Sequence, residues 1–291
     1  QWKRCAHRPS SLRDGGSSTS QDAALPCPPS PAMSCTSAAR AWSRPRLASK
    51  RAGTGAKHRR APAPRAAATR DAGPARVAVF VSGGGSNMRA LHAAMLDGRV
   101  DASVAVVVSN SIDCGGIQWA NDNGLPTLRY PPSKQQREAN EGLSPDALVE
   151  KLESLGVTHV CLAGYLRLIP PELCRRYENK MLNVHPALLP AFGGKGMHGL
   201  AVHEAVVASG ARFTGPTIHF VNEKFDDGKI LAQRVVPVFP TDTPQDVAAR
   251  VLEKEHEVFP HALAALVEGR VEFREDGVPR IVARGTEEAY E

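Results

Sequence analysis

The sequence predicts an α/β fold: an open, mostly parallel twisted sheet with helices on both faces, finished by antiparallel strands toward the C-terminus. Three observations predict it. Short apolar runs alternate with stretches of helical periodicity up to about residue 183, the pattern of βαβ units. The early runs, such as Val77–Val81, are continuously apolar, which suits strands covered on both faces. After Asn183 the runs lengthen and are joined by turn sequences, which marks a change to antiparallel pairing.

The elements follow in order. Val77–Val81 is the first strand and runs into Ser82-Gly-Gly-Gly-Ser-Asn87. Met88, Leu91, Met95 and Leu96 then recur at helical spacing. Ala102–Val108 is a second, β-branched strand, Cys114–Asn123 a helix stopped by Gly124, and Pro126–Leu128 a short third strand. Residues 131–143 are polar and flanked by proline, and read as a mobile loop. Ser144 and Pro145 supply an N-cap and a first helical residue, and Thr158–Leu162 is the next strand. Phe213–Asn222 and Ile230–Val238 read as long paired strands around Asp226-Asp-Gly228. A helix follows from about Pro244 to Leu266, then a hairpin near residues 271–284 turning at Asp276-Gly277.

Composition divides the chain. Residues 1–70 hold 14 Lys and Arg against Asp14 and Asp22, a net of +12. The whole chain carries +6, which leaves 22 basic and 28 acidic residues, a net of −6, in residues 71–291. A mildly acidic body argues against a nucleic-acid-binding domain, which needs a concentrated basic face. The first segment is rich in Ala, Ser, Pro and Arg and lacks core-forming periodicity, so residues 1–75 are expected to be a disordered leader and residues 76–291 the folded domain. An Arg- and Ser-rich, acid-poor start reads as an organellar transit peptide, with Met33 as a natural beginning. None of the six cysteines forms a CxxC pair and no His cluster has zinc-finger spacing, so no disulfide framework and no metal is expected. No apolar stretch has the length of a membrane span, and no membrane partner is expected.

Two segments carry chemistry. A strand entering a glycine turn and then a helix makes an anion site, because glycines let the backbone approach and free helix N–H groups face the ligand. Ser86 and Asn87 add side-chain donors. A dinucleotide site wants a third glycine where Met88 stands and an acid after the second strand, where Ser109-Asn110-Ser111 offers none. No Gly-Lys-Ser/Thr follows, so a P-loop is excluded, and a single phosphate fits better. The second segment is Asn183-Val-His185-Pro186: at a strand end, Asn183 and His185 share one face and can both donate to one oxygen. Asp226, in a turn between two apolar strands, is placed to face His185, favouring its imidazolium form and holding the ring. No Ser or Cys nucleophile stands beside the histidine, so direct attack by a substrate amine suits the set better than a covalent enzyme intermediate.

Ser82-Gly-Gly-Gly-Ser-Asn87, Leu162-Ala-Gly-Tyr-Leu-Arg-Leu-Ile169, Asn183-Val-His-Pro-Ala-Leu-Leu-Pro190 and Gly215-Pro-Thr-Ile-His-Phe-Val221 through Asp226-x-Gly228 occur in an order that resembles the phosphoribosylglycinamide formyltransferases, over about residues 76–270. The insert Phe192-Gly-Gly-Lys-Gly196 and the basic leader look like the plant branch. The resemblance implies the formyltransferase fold, and transfer of the formyl group of 10-formyltetrahydrofolate to glycinamide ribonucleotide in purine biosynthesis. It implies organellar import machinery as a partner and the chloroplast as location, with the mitochondrion as the alternative. By position, Gly85, Ser86 and Asn87 would hold the substrate phosphate. Leu166, Arg167, Leu168 and Ile169 would line the folate pocket with Asn183, and Arg137 would contact the folate from a loop of different length. Asn183 and His185 would stabilise the oxyanion, and Asp226 would orient His185. His203 and Glu204 fall in a segment that would close toward the ribonucleotide.

A formyltetrahydrofolate hydrolase is the alternative. That family usually carries a second histidine where Pro186 stands, and an N-terminal regulatory domain that residues 1–75 do not resemble. A methionyl-tRNA formyltransferase would need a basic C-terminal domain longer than the segment after residue 270.

Overall fold

The computed structural model describes residues 73–139, 141–282 and 289–290. Residues 1–72 of the expected leader, Met33 among them, lie outside the described residues. The first half alternates as expected: β1 (Ala75–Val81), α1 (Ser86–Leu96), β2 (Ala102–Ser109), α2 (Gly115–Asp122) and β3 (Thr127–Arg129). Next come α3 (Lys134–Glu138), α4 (Pro145–Ser154), β4 (His159–Leu162), α5 (Pro171–Arg176), β5 (Met181–His185) and α6 (Leu200–Ser209). The chain continues with β6 (Phe213–Thr214), β7 (Thr217–Phe220), β8 (Ile230–Gln233), β9 (Val236–Pro237) and α7 (Pro244–Val267). It ends in β10 (Val271–Phe273), β11 (Pro279–Val282) and β12 (Ala289–Tyr290), paired antiparallel.

The main sheet has seven strands in the order β3-β2-β1-β4-β5-β7-β8. The first five run parallel; β7 and β8 are antiparallel additions. Side-chain alternation along β1 divides the core in two. Val77, Val79 and Val81 pack with Leu91, Phe259 and Leu263 from α1 and α7, while Ala78 and Phe80 pack with Leu148, Leu152 and Leu173 from α4 and α5. Full burial of a side chain such as Phe80 stabilises the fold by about 1.5–3 kcal/mol. The strand order reverses direction between β1 and β4, and ligands in such sheets bind beyond the carboxyl ends of the strands at that point.

The helix ends follow local chemistry. Ser144 accepts from the Ala147 N–H at 3.1 Å with Pro145 at the first turn, as the sequence predicts. Thr243 and Asp246 form a capping box that starts α7. Three expectations need correction. The segment 131–143 contains the short helix α3, because Ser133 and Gln136 cap it reciprocally: Gln136 N–H donates to Ser133 Oγ and Ser133 N–H to Gln136 Oε1. The strands expected over 213–222 and 230–238 are each broken, because Gly215-Pro216 interrupts the ladder where the chain leaves the main sheet for the small β6–β9 ribbon. Helices α5 and α6 are not evident from periodicity. No helix among the described residues is long and apolar enough to cross a membrane.

Candidate active site

Beyond the carboxyl ends of β1, β4 and β5 lies a cavity of about 590 Å³. Ser86 and Asn87, where the glycine loop enters α1, form one side; Gly85 is buried behind them, outside the lining. Gly85 takes the left-handed conformation (φ 74°) that turns the chain into α1, and a Cβ there would sit 2.9 Å from Gly116 Cα. The carbonyls before it are occupied elsewhere: Gly83 accepts from the Gly116 N–H at 2.9 Å and Gly84 from the Arg89 guanidinium at 3.0 Å. The first N–H groups of α1 have no partner within the helix and are suited to an anion. Ser86 is exposed and lines the cavity. Asn87 departs from the expected role of its side chain: it is buried, and its amide donates to Glu255 Oε2 at 2.6 Å. Glu255 comes from α7 and also lines the cavity; burial pushes its carboxyl up to about 6, against the lowering by Asn87.

The opposite side is a polar cluster. Asn183 and His185 lie one residue apart at the end of β5, on the strand face that Met181 buries. The antiparallel register sets Asn183 opposite His219 and His185 opposite Thr217. Asp226 reaches them from the turn after β7, with a positive φ of 52° that aspartate tolerates. That turn presses against β7 so closely that a Cβ on Gly228 would stand 1.6 Å from the Phe220 carbonyl oxygen. Asp226 Oδ2 accepts from the Gly194 N–H at 2.9 Å and lies 3.5 Å from His185 Nδ1; Oδ1 lies 3.5 Å from Asn183 Nδ2 and 3.7 Å from His219 Nε2.

His185 Nε2 is 2.8 Å from the Phe192 carbonyl oxygen, which can only accept, so Nε2 carries a hydrogen. The expectation that Asp226 makes the imidazolium the favoured form needs correction. Burial lowers the His185 pKa more than Asp226 and the Phe192 carbonyl raise it, and the net direction is down. For Asp226 burial is the largest influence and raises the pKa, but His219, His185 and the Gly194 N–H together hold it below the ordinary value.

Not every expected residue gathers here. Ser86, Asn87, Leu166, Asn183, His185, His203 and Asp226 line the cavity. His203 is buried on α6, with Nδ1 lacking a partner in the protein, and burial lowers its pKa, His185 adding to the effect. Arg167 and Leu168 are exposed outside the cavity lining, Ile169 is packed into the core beside Tyr165, and Glu204 is exposed on α6. Arg137 is on α3; its side chain lies outside the described residues. Sequence reasoning gives no role to His219 or Glu255. His219 has a signal, since its spacing of two from Thr217 on β7 repeats that of Asn183 and His185; Glu255 lies in a helix that resembles the family, but its role has no local signal, since its partner Asn87 is 168 positions away. Among the described residues no group of three or more His, Cys, Asp or Glu could hold a metal ion.

Residues 75–263 match the family model described as Formyl transferase. A chloroplastic phosphoribosylglycinamide formyltransferase of Arabidopsis thaliana is 52% identical over 215 residues, covering 74% of this chain and 73% of that protein. The phosphoribosylglycinamide formyltransferase of Haemophilus influenzae is 33% identical over 201 residues, covering 69% of this chain and 91% of that one. Among solved structures, glycinamide ribonucleotide transformylase 1 from Symbiobacterium toebii matches with a TM-score of 0.63 at 35% identity, over 72% of this chain and 95% of that one.

Proposed function

The chain belongs to the formyl transferase family, and on that premise we propose that it transfers the formyl group of 10-formyltetrahydrofolate to the amine of N1-(5-phospho-D-ribosyl)glycinamide, a step of purine biosynthesis. The observation that carries the reading is one cavity lined both by Ser86 and Asn87, where the glycine loop enters α1, and by the Asn183, His185 and Asp226 cluster. The ribonucleotide phosphate binds the N–H groups of Gly85, Ser86 and Asn87. Glu255, its carboxyl raised to about 6 by burial, faces the same end and accepts from a sugar hydroxyl. The folate occupies the side of Leu166 and Asn183, with Leu166, half-exposed at 49%, as an apolar wall. Arg137, Arg167, Leu168 and Ile169 belong to the proposed folate-side segments, and His203 and Glu204 to the α6 segment facing the ribonucleotide.

The amine nitrogen attacks the formyl carbon, a C–N bond forms, and the carbonyl electron pair moves onto oxygen. Asn183 N–H and His185 Nε2–H donate to that oxyanion, the formyl oxygen replacing the Phe192 carbonyl as acceptor. Asp226 lies 3.5 Å from Nδ1, and its negative charge is the largest influence opposing the effect of burial on the ring. The adduct collapses, the bond to N10 of the folate breaks, and the proton lost by the amine reaches N10 through water beside Asp226.

The test is an assay of the full chain with 10-formyltetrahydrofolate, with and without the ribonucleotide. Tetrahydrofolate released only with the ribonucleotide is the expected result; release with water alone would mean the hydrolase. The basic first 70 residues complete the proposal as an import sequence read by organellar translocation machinery, with the chloroplast as destination. A fusion of residues 1–75 to a fluorescent protein should enter plastids; entry into mitochondria alone would overturn this destination.

A further inference from the structure

His219 is buried, Asn183 is half-buried, and their side chains meet across the β5–β7 register. The hydrogen positions follow from their partners. His219 Nδ1 lies 2.8 Å from the Phe220 carbonyl oxygen, so Nδ1 carries a hydrogen. Nε2 lies 2.9 Å from the Asn183 carboxamide. The carboxamide atom facing the ring is also 3.5 Å from Asp226 Oδ1. A carboxylate only accepts, so that atom is the amide nitrogen; an amide oxygen there would confront the carboxylate. One Asn183 N–H is thus donated to His219 Nε2, and the ring is the Nδ1–H tautomer. The separation of 3.7 Å between His219 Nε2 and Asp226 Oδ1 is too long for a direct hydrogen bond.

We propose that His219 is a positioning residue: by accepting one Asn183 N–H it locks the carboxamide with its nitrogen toward Asp226, and the second N–H, held only by the long 3.5 Å contact to Asp226 Oδ1, passes to the oxyanion. The proposal rests on the oxyanion role of Asn183 given above. Without this acceptor the carboxamide can turn over and present its oxygen to developing negative charge, which raises the barrier rather than lowering it.

Steady-state kinetics of the full chain with both substrates tests it. His219→Leu should lower kcat by roughly tenfold to a hundredfold, with both KM values within about threefold. His219→Gln, whose side-chain oxygen can still accept from Asn183, should recover a substantial part of that loss. The double variant Asn183→Ala with His219→Leu should be no slower than Asn183→Ala alone, because the histidine acts only through the asparagine. Unchanged kcat in His219→Leu, or effects that multiply in the double variant, would overturn the proposal. Full turnover in Asn183→Ala alone would overturn the oxyanion assignment itself, and the positioning role with it. If His219→Leu does not fold, the imidazole 15N spectrum of the unmodified protein decides, with the His219 signals identified by their loss in His219→Gln. Nδ1 protonated and Nε2 bare is expected; the opposite tautomer would overturn the proposal.

Discussion

On the β5–β7 side of the cavity four side chains, Asn183, His185, His219 and Asp226, meet and constrain one another, whereas on the β1–α1 side the anion-facing groups are mainly backbone N–H groups and the Asn87 side chain turns aside. Asn87 shows the difference most clearly: its position in the glycine loop suggests a side-chain donor, but its amide is committed to Glu255. The polar cluster depends on which side chain stands at each position. The glycine loop depends on the absence of one. The two sides should therefore fail differently when altered.

The largest effect belongs to the polar cluster. Asn183→Ala and His185→Ala should each slow turnover by about two orders of magnitude or more, some 3–4 kcal/mol of barrier, while circular dichroism shows a folded protein. Near-normal turnover of His185→Ala would erase the proposed contrast. On the glycine side, Gly85→Ala should cost about 1–3 kcal/mol in backbone strain and raise KM for the ribonucleotide more than it lowers kcat, since the added Cβ meets Gly116.

Glu255→Gln separates binding from stability. The folded carboxyl has its pKa raised from 4.5 to about 6, so the folded state holds its proton longer than the unfolded chain. Stability from this group is full below pH 4.5 and is lost as pH rises through 6. Glutamine removes that penalty, about 2 kcal/mol at pH 7, and melting curves should show higher stability there and a weaker pH dependence between those values. A drop in melting temperature at pH 7 would mean that the carboxylate is not penalised by burial.

As a control on a helix end outside the cavity, Ser144→Ala should cost about 1 kcal/mol of stability with unchanged kinetics. Finally, NMR titration of His185 should give a midpoint below 6.5, and Asp226→Asn should lower it further, because the carboxylate is the largest influence opposing burial. An upward move would reverse the assigned balance. The matching stability contribution is lost as pH falls below 6.5, where the unfolded histidine takes up its proton first.

The same contrast governs what the sequence makes legible. Val77–Val81, Ser144-Pro145 and the spacing of Asn183 and His185 carry local signals, so the strands, the α4 cap and the shared face can be read directly. Helix α6 cannot be read this way: Leu200–Ser209 is apolar on most sides and begins at Gly199 without a side-chain cap. The ribbon β6–β9 and the pairing of Asn87 with Glu255 depend on contacts distant in sequence. The direction of the His185 shift depends on burial, which residue spacing does not report.

The distance along the chain between Asn87 and Glu255 has a thermodynamic consequence. Their contact closes a loop of 168 positions that spans most of the folded domain, so the ribonucleotide site is complete only when first and last major elements are docked. Ligand that binds only this assembled state draws the folding equilibrium toward itself. At a hundredfold excess over its Kd it would add about 2.7 kcal/mol to apparent stability, making the melting temperature a gauge of substrate concentration.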